Sequence, residues 1–479
     1  MTIGTETSST IDSPGNSIYW SASHMEPARR FAPLEGRQQA DVVIVGGGFT
    51  GLWTAWYLKQ LAPDQHIAVV EAECFGHGAS GRNGGWVIGN IAGLERHLHG
   101  LDTDTRQALC RMLGDNVDDI GAALSDADID ADFHKGGALN VAARYAAQQG
   151  LQRSYLAHLH ELGFSDRDCR WLNADELTMM ARFRRPFGAV FQRQVATLHP
   201  RKLIHGLVQQ LAASGVQLYE HSRVTSVAER RVSTHEGSVQ AQTVVIATEG
   251  YSEQLANIRR HVIPVQSLVI ATEPLTNATW DALGLDSRPT FADASRLINY
   301  GHRTRDGRLV FGARGNYQLG AHPRHDPAIS DADIDMRRKL LVDMFPALED
   351  VAVTHGWGGS LGLSRSFRPH AILAGKQGLA TAGGYAGEGV AASHLMGRTL
   401  AEMILGEDSS RTRAPWAFHG TSLQEVVKRW EPEPLRWLAA QTILTSYATE
   451  EALMSRERHL PLISPGLSWL NNTFASVIE

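Results

Sequence analysis

Between Asp41 and Glu71 the chain reads as strand, glycine turn, helix and strand. Asp41-Val-Val-Ile-Val45 is a short apolar run rich in β-branched residues, the pattern of a buried parallel strand. Gly46-Gly-Gly48-Phe-Thr-Gly51 follows at once. In such a turn the first glycine permits the tight bend, the second lets backbone approach a pyrophosphate, and the third lets helix and strand pack closely. Phe49 to Leu61 has no proline and carries apolar residues at helical spacing, and Pro63-Asp64 stops it. Ile67-Ala-Val-Val70 is a second buried strand. All this fits within the roughly 30 residues of a βαβ unit. The helix N-terminus offers free N–H groups to phosphates. Glu71 lies 20 residues past Gly51, where a carboxylate can accept hydrogen bonds from ribose hydroxyls. A glycine turn in an unrelated α/β domain is the competing reading, and strand, helix and acidic residue together favour a dinucleotide site. By itself the unit does not separate FAD from NAD.

The 479 residues amount to roughly two to three domains' worth of chain. With 43% hydrophobic residues, the chain can build a core large enough to enclose a cofactor. A net charge of -6 without a basic block argues against nucleic acid or an acidic membrane surface as partner. Cys74, Cys110 and Cys169 form no C-x-x-C pair, so a reducing compartment is expected. The polar start carries no secretory signal, and no run approaches the ~20 apolar residues of a membrane span. A cytoplasmic protein with a disordered tail over residues 1–17 is the expectation.

Further along, helices are expected over Thr105–Leu124, Arg144–Leu162 and Arg201–Ala213, and strands over Val216–Tyr219, Val224–Val227 and Thr243–Ala247. Val262–Thr272 and Arg308–Ala313 alternate as strands of a separate, antiparallel sheet with one face lining a site. Two more glycine-rich segments stand out. Gly78-Ala-Ser-Gly-Arg-Asn-Gly-Gly85 has a backbone able to press against a flat ring or a phosphate, with Arg82 and Asn83 as fixed donors. Gly383-Gly-Tyr-Ala-Gly-Glu-Gly389 precedes a helix from about Val390 to Leu405. Aimed at a flavin, that helix N-terminus would stabilise charge developing at the ring's C2 carbonyl on reduction. A plain solvent loop and a packing turn are the respective alternatives.

Taken in order, DVVIVGGGFTGL, VVEAE, GASGRNGG, ATEGY and GGYAGEGVAASHLMGRTLAEMI resemble the D-amino-acid oxidase superfamily of FAD-dependent oxidoreductases, in the branch containing gamma-glutamylputrescine oxidoreductase. Ser17-Ile-Tyr-Trp20, Pro264 to Pro274 and Arg308 to Gly312 are similar to that branch as well. The resemblance spans about Ile18 to Leu405. It implies an α/β chain, α+β overall, in which a discontinuous Rossmann-like FAD-binding domain joins a substrate domain with a mainly antiparallel sheet. The expected segments are 18–95, 199–260 and 355–410 for the FAD domain, 96–198 and 261–354 for the substrate domain, and 411–479 for a C-terminal helical extension. It implies that Gly46, Gly48, Phe49, Thr50 and Gly51 meet the pyrophosphate and that Glu71, with Ala72 beside it, takes the adenosine ribose. Ser80, Gly81, Arg82, Asn83, Gly84 and Gly85 would run beside phosphates and ring. Val224, Ala247 and Thr248 would enclose the adenine end, and Gly384, Tyr385, Gly387, Gly389 and Val390 would cap the ring's pyrimidine side.

Some relatives tether FAD through a cysteine before the last glycine turn. Gly356 to Ala382 has none, so FAD is expected to be non-covalent. Sarcosine-oxidising relatives carry a lysine and a histidine on the roof strand, whereas Arg308 to Arg314 has neither. Arg365 offers a fork that matches a substrate carboxylate, or is a surface residue. Tyr300 and Arg314 flank the roof hairpin and could face site or solvent, and Trp357 falls where the family reaches over the flavin. These four are the catalytic candidates, and no metal site is expected. Trp430 to Leu438 is expected to be a helix that packs on the body or on a second subunit, and the role of the C-terminal extension stays open. The chemistry implied is oxidation of a small amine or amino acid by hydride transfer to flavin N5, giving an imine that hydrolyses to a carbonyl compound. O2 is the expected acceptor and H2O2 the product. The alternatives are a D-amino-acid or N-alkyl-amino-acid dehydrogenase with another acceptor, a flavin hydroxylase, and a non-catalytic flavoprotein subunit. The identity of the amine and the oligomeric state stay open.

Overall fold

The computed structural model describes residues 17–24, 31–255, 258–295, 298–315, 317–320 and 322–456. The tail expected over residues 1–17 lies outside these except for Ser17, and so does the Arg314 side chain.

Two large sheets organise the described residues. In the first, Gly36–Val45 lies between Ile67–Val70 and Gly237–Ile246, parallel to both. Gln217–Tyr219 extends it on one side and Leu379–Gly383 on the other, again in parallel. Residues Val42–Val45, Ile67–Val70 and Val244–Ile246 at the centre of this sheet are buried on both faces, which explains their continuous Val/Ile-rich runs. Helices Phe49–Leu61 and Gly389–Leu405 pack against each other over one face. Both follow a glycine turn, so both N-termini come to the same end of the sheet.

The second sheet is the roof. Its order is Val353–Ser364, Val262–Thr272, Leu309–Arg314, Asn299–Arg303, Thr290–Asp293, Ala138–Ala142, Gly188–Gln192 and Cys169–Leu172. It is antiparallel except where Thr290–Asp293 meets Ala138–Ala142. Mixed α/β architecture with a mainly antiparallel second sheet is the fold class expected from the sequence.

Two expected boundaries need correction. Val353–Ser364 pairs with Val262–Thr272 along its length, so the start of the 355–410 segment belongs to the roof. Its many glycines leave little side chain to signal a strand, and the partner strand supplies the regularity. At the other end, Ala417–His419 pairs in parallel with His370–Ala374, so the first sheet reaches into the expected C-terminal extension. The strand expected at Val224–Val227 forms instead at Ser226–Ala228. No described helix is long and apolar enough to cross a membrane.

Candidate active site

The first glycine turn is built as the spacing requires. Gly46 takes a φ of +109°, and a Cβ there would lie 2.5 Å from the Ala247 carbonyl oxygen. Its N–H donates to the Val70 carbonyl at 2.9 Å, tying the turn to the second strand. A Cβ on Gly51 would stand 2.1 Å from the Gly46 carbonyl oxygen, so only glycine lets the helix sit this close. Gly48, the residue before the helix, caps it with no side chain of its own. Ser80 reaches across instead, its Oγ accepting from the Phe49 N–H at 2.9 Å. The Glu71 carboxylate accepts from the Gly47 N–H at 2.7 Å and the Glu73 N–H at 3.0 Å, while burial pushes its pKa up.

The second glycine segment is held from outside. Three ring N–H groups donate to three successive carbonyls: Trp357 Nε1 to Arg82 at 2.9 Å, Trp20 Nε1 to Asn83 at 2.7 Å, and His302 Nε2 to Gly84 at 2.8 Å. Burial lowers the His302 pKa to about 4, so the ring is neutral and its Nε2 proton is fixed by the Gly84 acceptor. Trp357 is fully buried and does not reach the cavity described below. It is a positioning residue for the loop, and its assignment as a catalytic candidate is withdrawn. Asn83 folds back on its own loop, donating to the Ser80 carbonyl at 2.6 Å and accepting from the Gly85 N–H at 2.8 Å. The Arg82 guanidinium donates to the carbonyls of Arg324 and His325.

The third turn is bridged to the first. Tyr385 Oη and Thr50 Oγ1 share a hydrogen bond of 2.9 Å. The Glu249 carboxylate accepts from the N–H groups of Gly384 at 2.8 Å and Tyr385 at 3.1 Å, and burial raises its pKa. Glu249 escaped the sequence reading, although it is the one acidic residue in the ATEGY segment. Helix Gly389–Leu405 has no side-chain cap, and Gly387, Glu388, Gly389 and Val390 border the cavity with its first turn. Glu388 is pushed up to about 7 by burial and by the Glu95 carboxylate. The folded flavin-free protein therefore holds a proton between pH 4.5 and 7 that the unfolded chain has lost, and its stability falls as pH rises through that window. Glu388→Gln is expected to flatten this fall. Melting temperatures at pH 5 and pH 8 should differ less in the variant than in the wild type, and equal differences would sink the assignment.

All three turns open on one cavity of about 1680 Å³ that runs beneath the roof. It exceeds the ~300–1,000 Å³ of a drug-sized pocket, leaving room for a dinucleotide and a small substrate. Gly46, Gly48, Phe49, Thr50, Glu71, Ala72, Ser80, Arg82, Asn83, Gly84, Val224, Ala247, Thr248, Tyr385, Gly387, Gly389 and Val390 line it. Gly51, Gly81, Gly85 and Gly384 do not, and shape the turns from behind. The open helix N-termini, the glycine cradle and the buried Glu71 fit FAD. None of the three cysteines lines the cavity, and among the described residues no group of His, Cys, Asp and Glu could hold a metal ion.

Tyr300 borders the cavity beneath the roof sheet, wedged so tightly that a Cβ on Gly84 or Gly312 would strike its ring at 2.4 or 2.3 Å. Burial raises its pKa, which keeps the hydroxyl a neutral donor. Arg365 also lines the cavity, but its guanidinium pairs with Glu431 at 3.2 Å and lies over the Trp430 ring. A clamp on substrate is thus not its role in this structure. The partner comes from the segment Trp430 to Leu438, expected to pack on the body or on a second subunit. The helix Leu435–Ser455 packs on the body and forms a wall of the cavity, presenting Ala439, Ile443, Tyr447 and Met454 at helical spacing. The stripe was legible in sequence, and what it faces was not.

A family model described as "DAO: FAD dependent oxidoreductase" matches residues 41–403, stopping short of that helix. "Probable oxidoreductase OrdL" of Rhizobium meliloti is 30% identical over 413 residues, covering 83% of this chain and 90% of its own length. Gamma-glutamylputrescine oxidoreductase of Escherichia coli is 29% identical over 408 residues, covering 82% and 89%. Among solved structures, glycine oxidase from Geobacillus kaustophilus superposes with a TM-score of 0.64 at 19% identity, covering 80% of this chain and 98% of that one. At that identity the likeness is one of fold.

Proposed function

Because the chain belongs to the DAO family of FAD-dependent oxidoreductases, we propose that it oxidises a small amine or amino acid at a carbon–nitrogen bond, in the cavity beneath its roof sheet. The observation that carries this reading is the single cavity joining the three glycine turns to the roof. FAD, when bound, supplies the two-electron acceptor that no side chain provides. Gly46, Gly48 and Thr50 would hold its pyrophosphate, Glu71 its adenosine ribose, and the first turn of Gly389–Leu405 its ring, without a covalent tether. The chain's own work is then to bind, orient and keep dry. Tyr300 and the helix Leu435–Ser455 fix the space left for the substrate, and a substrate placed in near-attack geometry gains much of its rate from that placement. The oxidised product is an imine, which water hydrolyses to a carbonyl compound. Oxygen is the acceptor in this proposal and hydrogen peroxide the product. The likeness to gamma-glutamylputrescine oxidoreductase supports an amine as substrate.

The test is anaerobic addition of polyamines, D-amino acids and N-methyl amino acids to the yellow protein. One class should bleach the flavin's yellow colour, and readmitted air should restore it with release of peroxide. Bleaching by NADPH and by no amine would overturn the reading in favour of a hydroxylase. Recovery with a dye but not with air would move the acceptor from oxygen to another oxidant.

A further inference from the structure

The C-terminal helix lies beyond the family-matched residues and yet walls the cavity, so the surface it presents there belongs to this chain rather than to the shared fold. That surface is apolar. Ala439, Ala440, Ile443 and Leu444 line the cavity, and their spacing of one, four and five residues puts them on one stripe of the helix. The roof supplies a matching patch. Ile263 stands opposite Leu363, and Val265 opposite Leu361, across two paired strands. Residues paired in this way share a face, and all four of these aliphatic side chains line the cavity. Ala440 packs with Val265 and Leu363 around Ile263 and Tyr317, which joins the helix stripe to the roof patch along one edge.

The two patches make an apolar slot with a direction. Its inner end meets the third glycine turn, where a Cβ on Gly387 would lie 3.6 Å from Leu361 Cδ2. Its outer end reaches Leu435, a cavity-lining side chain that is 60% exposed. Leu435 and Ile443 are eight residues apart on the helix, roughly 12 Å. The charged side chains beside the slot are neutralised within the protein. Arg365 pairs with Glu431 at 3.2 Å and Arg436 with Glu433 at 2.9 Å, and farther along the helix Glu451 pairs with Arg144. A charged group entering the slot would give up its water against aliphatic side chains, which is costly. An apolar group would cover that aliphatic surface, which is favourable.

We propose that the substrate carries an apolar tail that lies in this slot, with its amine at the flavin end and no second charge along the tail. This rests on the amine-oxidation reading and narrows its substrate class from amines in general to hydrophobic ones. Ile443 and its neighbours on the stripe are then specificity-determining residues contributed by the C-terminal helix.

Calorimetric titration of the flavin-loaded protein with straight-chain alkanols, from propanol to octanol, tests the slot apart from amine chemistry. Affinity should rise roughly three- to fourfold with each added methylene, the gain expected for burying one such group. In anaerobic flavin reduction, hexylamine should saturate at a concentration at least about tenfold below that of hexamethylenediamine, whose second ammonium must be desolvated in the slot. Ile443→Asp places a charge on the stripe. It should weaken octanol at least about tenfold, leave propanol within a few-fold, and reverse the preference between the two amines. Ala439→Asp, on the same stripe and nearer the exposed end, should act in the same direction, and flavin content with melting temperature checks that both variants fold. Loosened packing alone would weaken every ligand alike, which makes the reversal diagnostic. Equal affinity of the wild type for propanol and octanol, a chain-length gain unchanged in both variants, or a diamine that saturates as early as the monoamine overturns the proposal. If alkanols bind with the expected gain but no amine bleaches the flavin, the oxidation reading fails and the slot stands. If amines bleach it and chain length has no effect, only the slot fails.

Discussion

Gly51→Ala is expected to give a protein that binds FAD at least about tenfold more weakly and purifies largely colourless. The added Cβ would lie 2.1 Å from the Gly46 carbonyl oxygen and 3.1 Å from Ile44 Cγ2. Neither neighbour can yield. Gly46 is pinned through its N–H to Val70, and its own Cα faces the Ala247 carbonyl at a distance that admits no side chain. Ile44 is fully buried in the central strand. Helix Phe49–Leu61 must therefore move away from the strand, and its N-terminus moves with it. Overpacking of this kind costs about 1–3 kcal/mol, and here the cost falls on the part that would grip the pyrophosphate. Gly375→Ala is the control, since nothing lies within 4 Å of its Cβ position. The ratio of flavin to protein absorbance reads the result. A Gly51→Ala protein carrying a full flavin complement at wild-type affinity would show that close helix–strand packing is not what the third glycine provides.

That turn was legible in the sequence because its strands, glycines, helix and acidic residue lie within one βαβ unit, whereas Ser80 and Ala247, which close on it from outside the unit, were not. The same holds for the other two glycine segments, whose composition announces tight backbone. What holds the second segment in place was not legible. The donors on the carbonyls of Arg82, Asn83 and Gly84 come from Trp357, Trp20 and His302, each on a different segment, and no local pattern links them. The inward turn of Trp357 was not legible for a related reason. The resemblance places it where the family reaches over the flavin, whereas a strand partner eleven residues long draws the stretch Val353–Ser364 flat and turns the indole inward. Arg365 shows the limit most clearly. Its type and place fit a carboxylate clamp, and only the fold reveals that Glu431 already occupies it.

The second large effect is expected from Ile443→Trp. Ile443 lines the cavity midway along the C-terminal helix, one turn from Ala439 and one from Tyr447. A larger ring at that position projects into the space beneath the roof, because the helix cannot retreat. Its start is held by the Tyr317, Glu433 and Arg436 group and its end by Arg144 and Ser295. These anchors are distant in sequence from the three glycine turns, so flavin content should stay at the wild-type level. The rate of anaerobic flavin reduction by the best amine should fall on the order of 100-fold, the penalty that a displacement of about 1 Å at the reacting centre can carry. Ile443→Val, which enlarges the same space, should leave the rate within a few-fold and shift preference toward bulkier amines. Two readings of the C-terminal segment then separate cleanly. If the helix merely packed on the outside, a tryptophan at position 443 would alter stability and leave reduction untouched. Loss of reduction with the flavin retained is the result that identifies the helix as a wall of the substrate space.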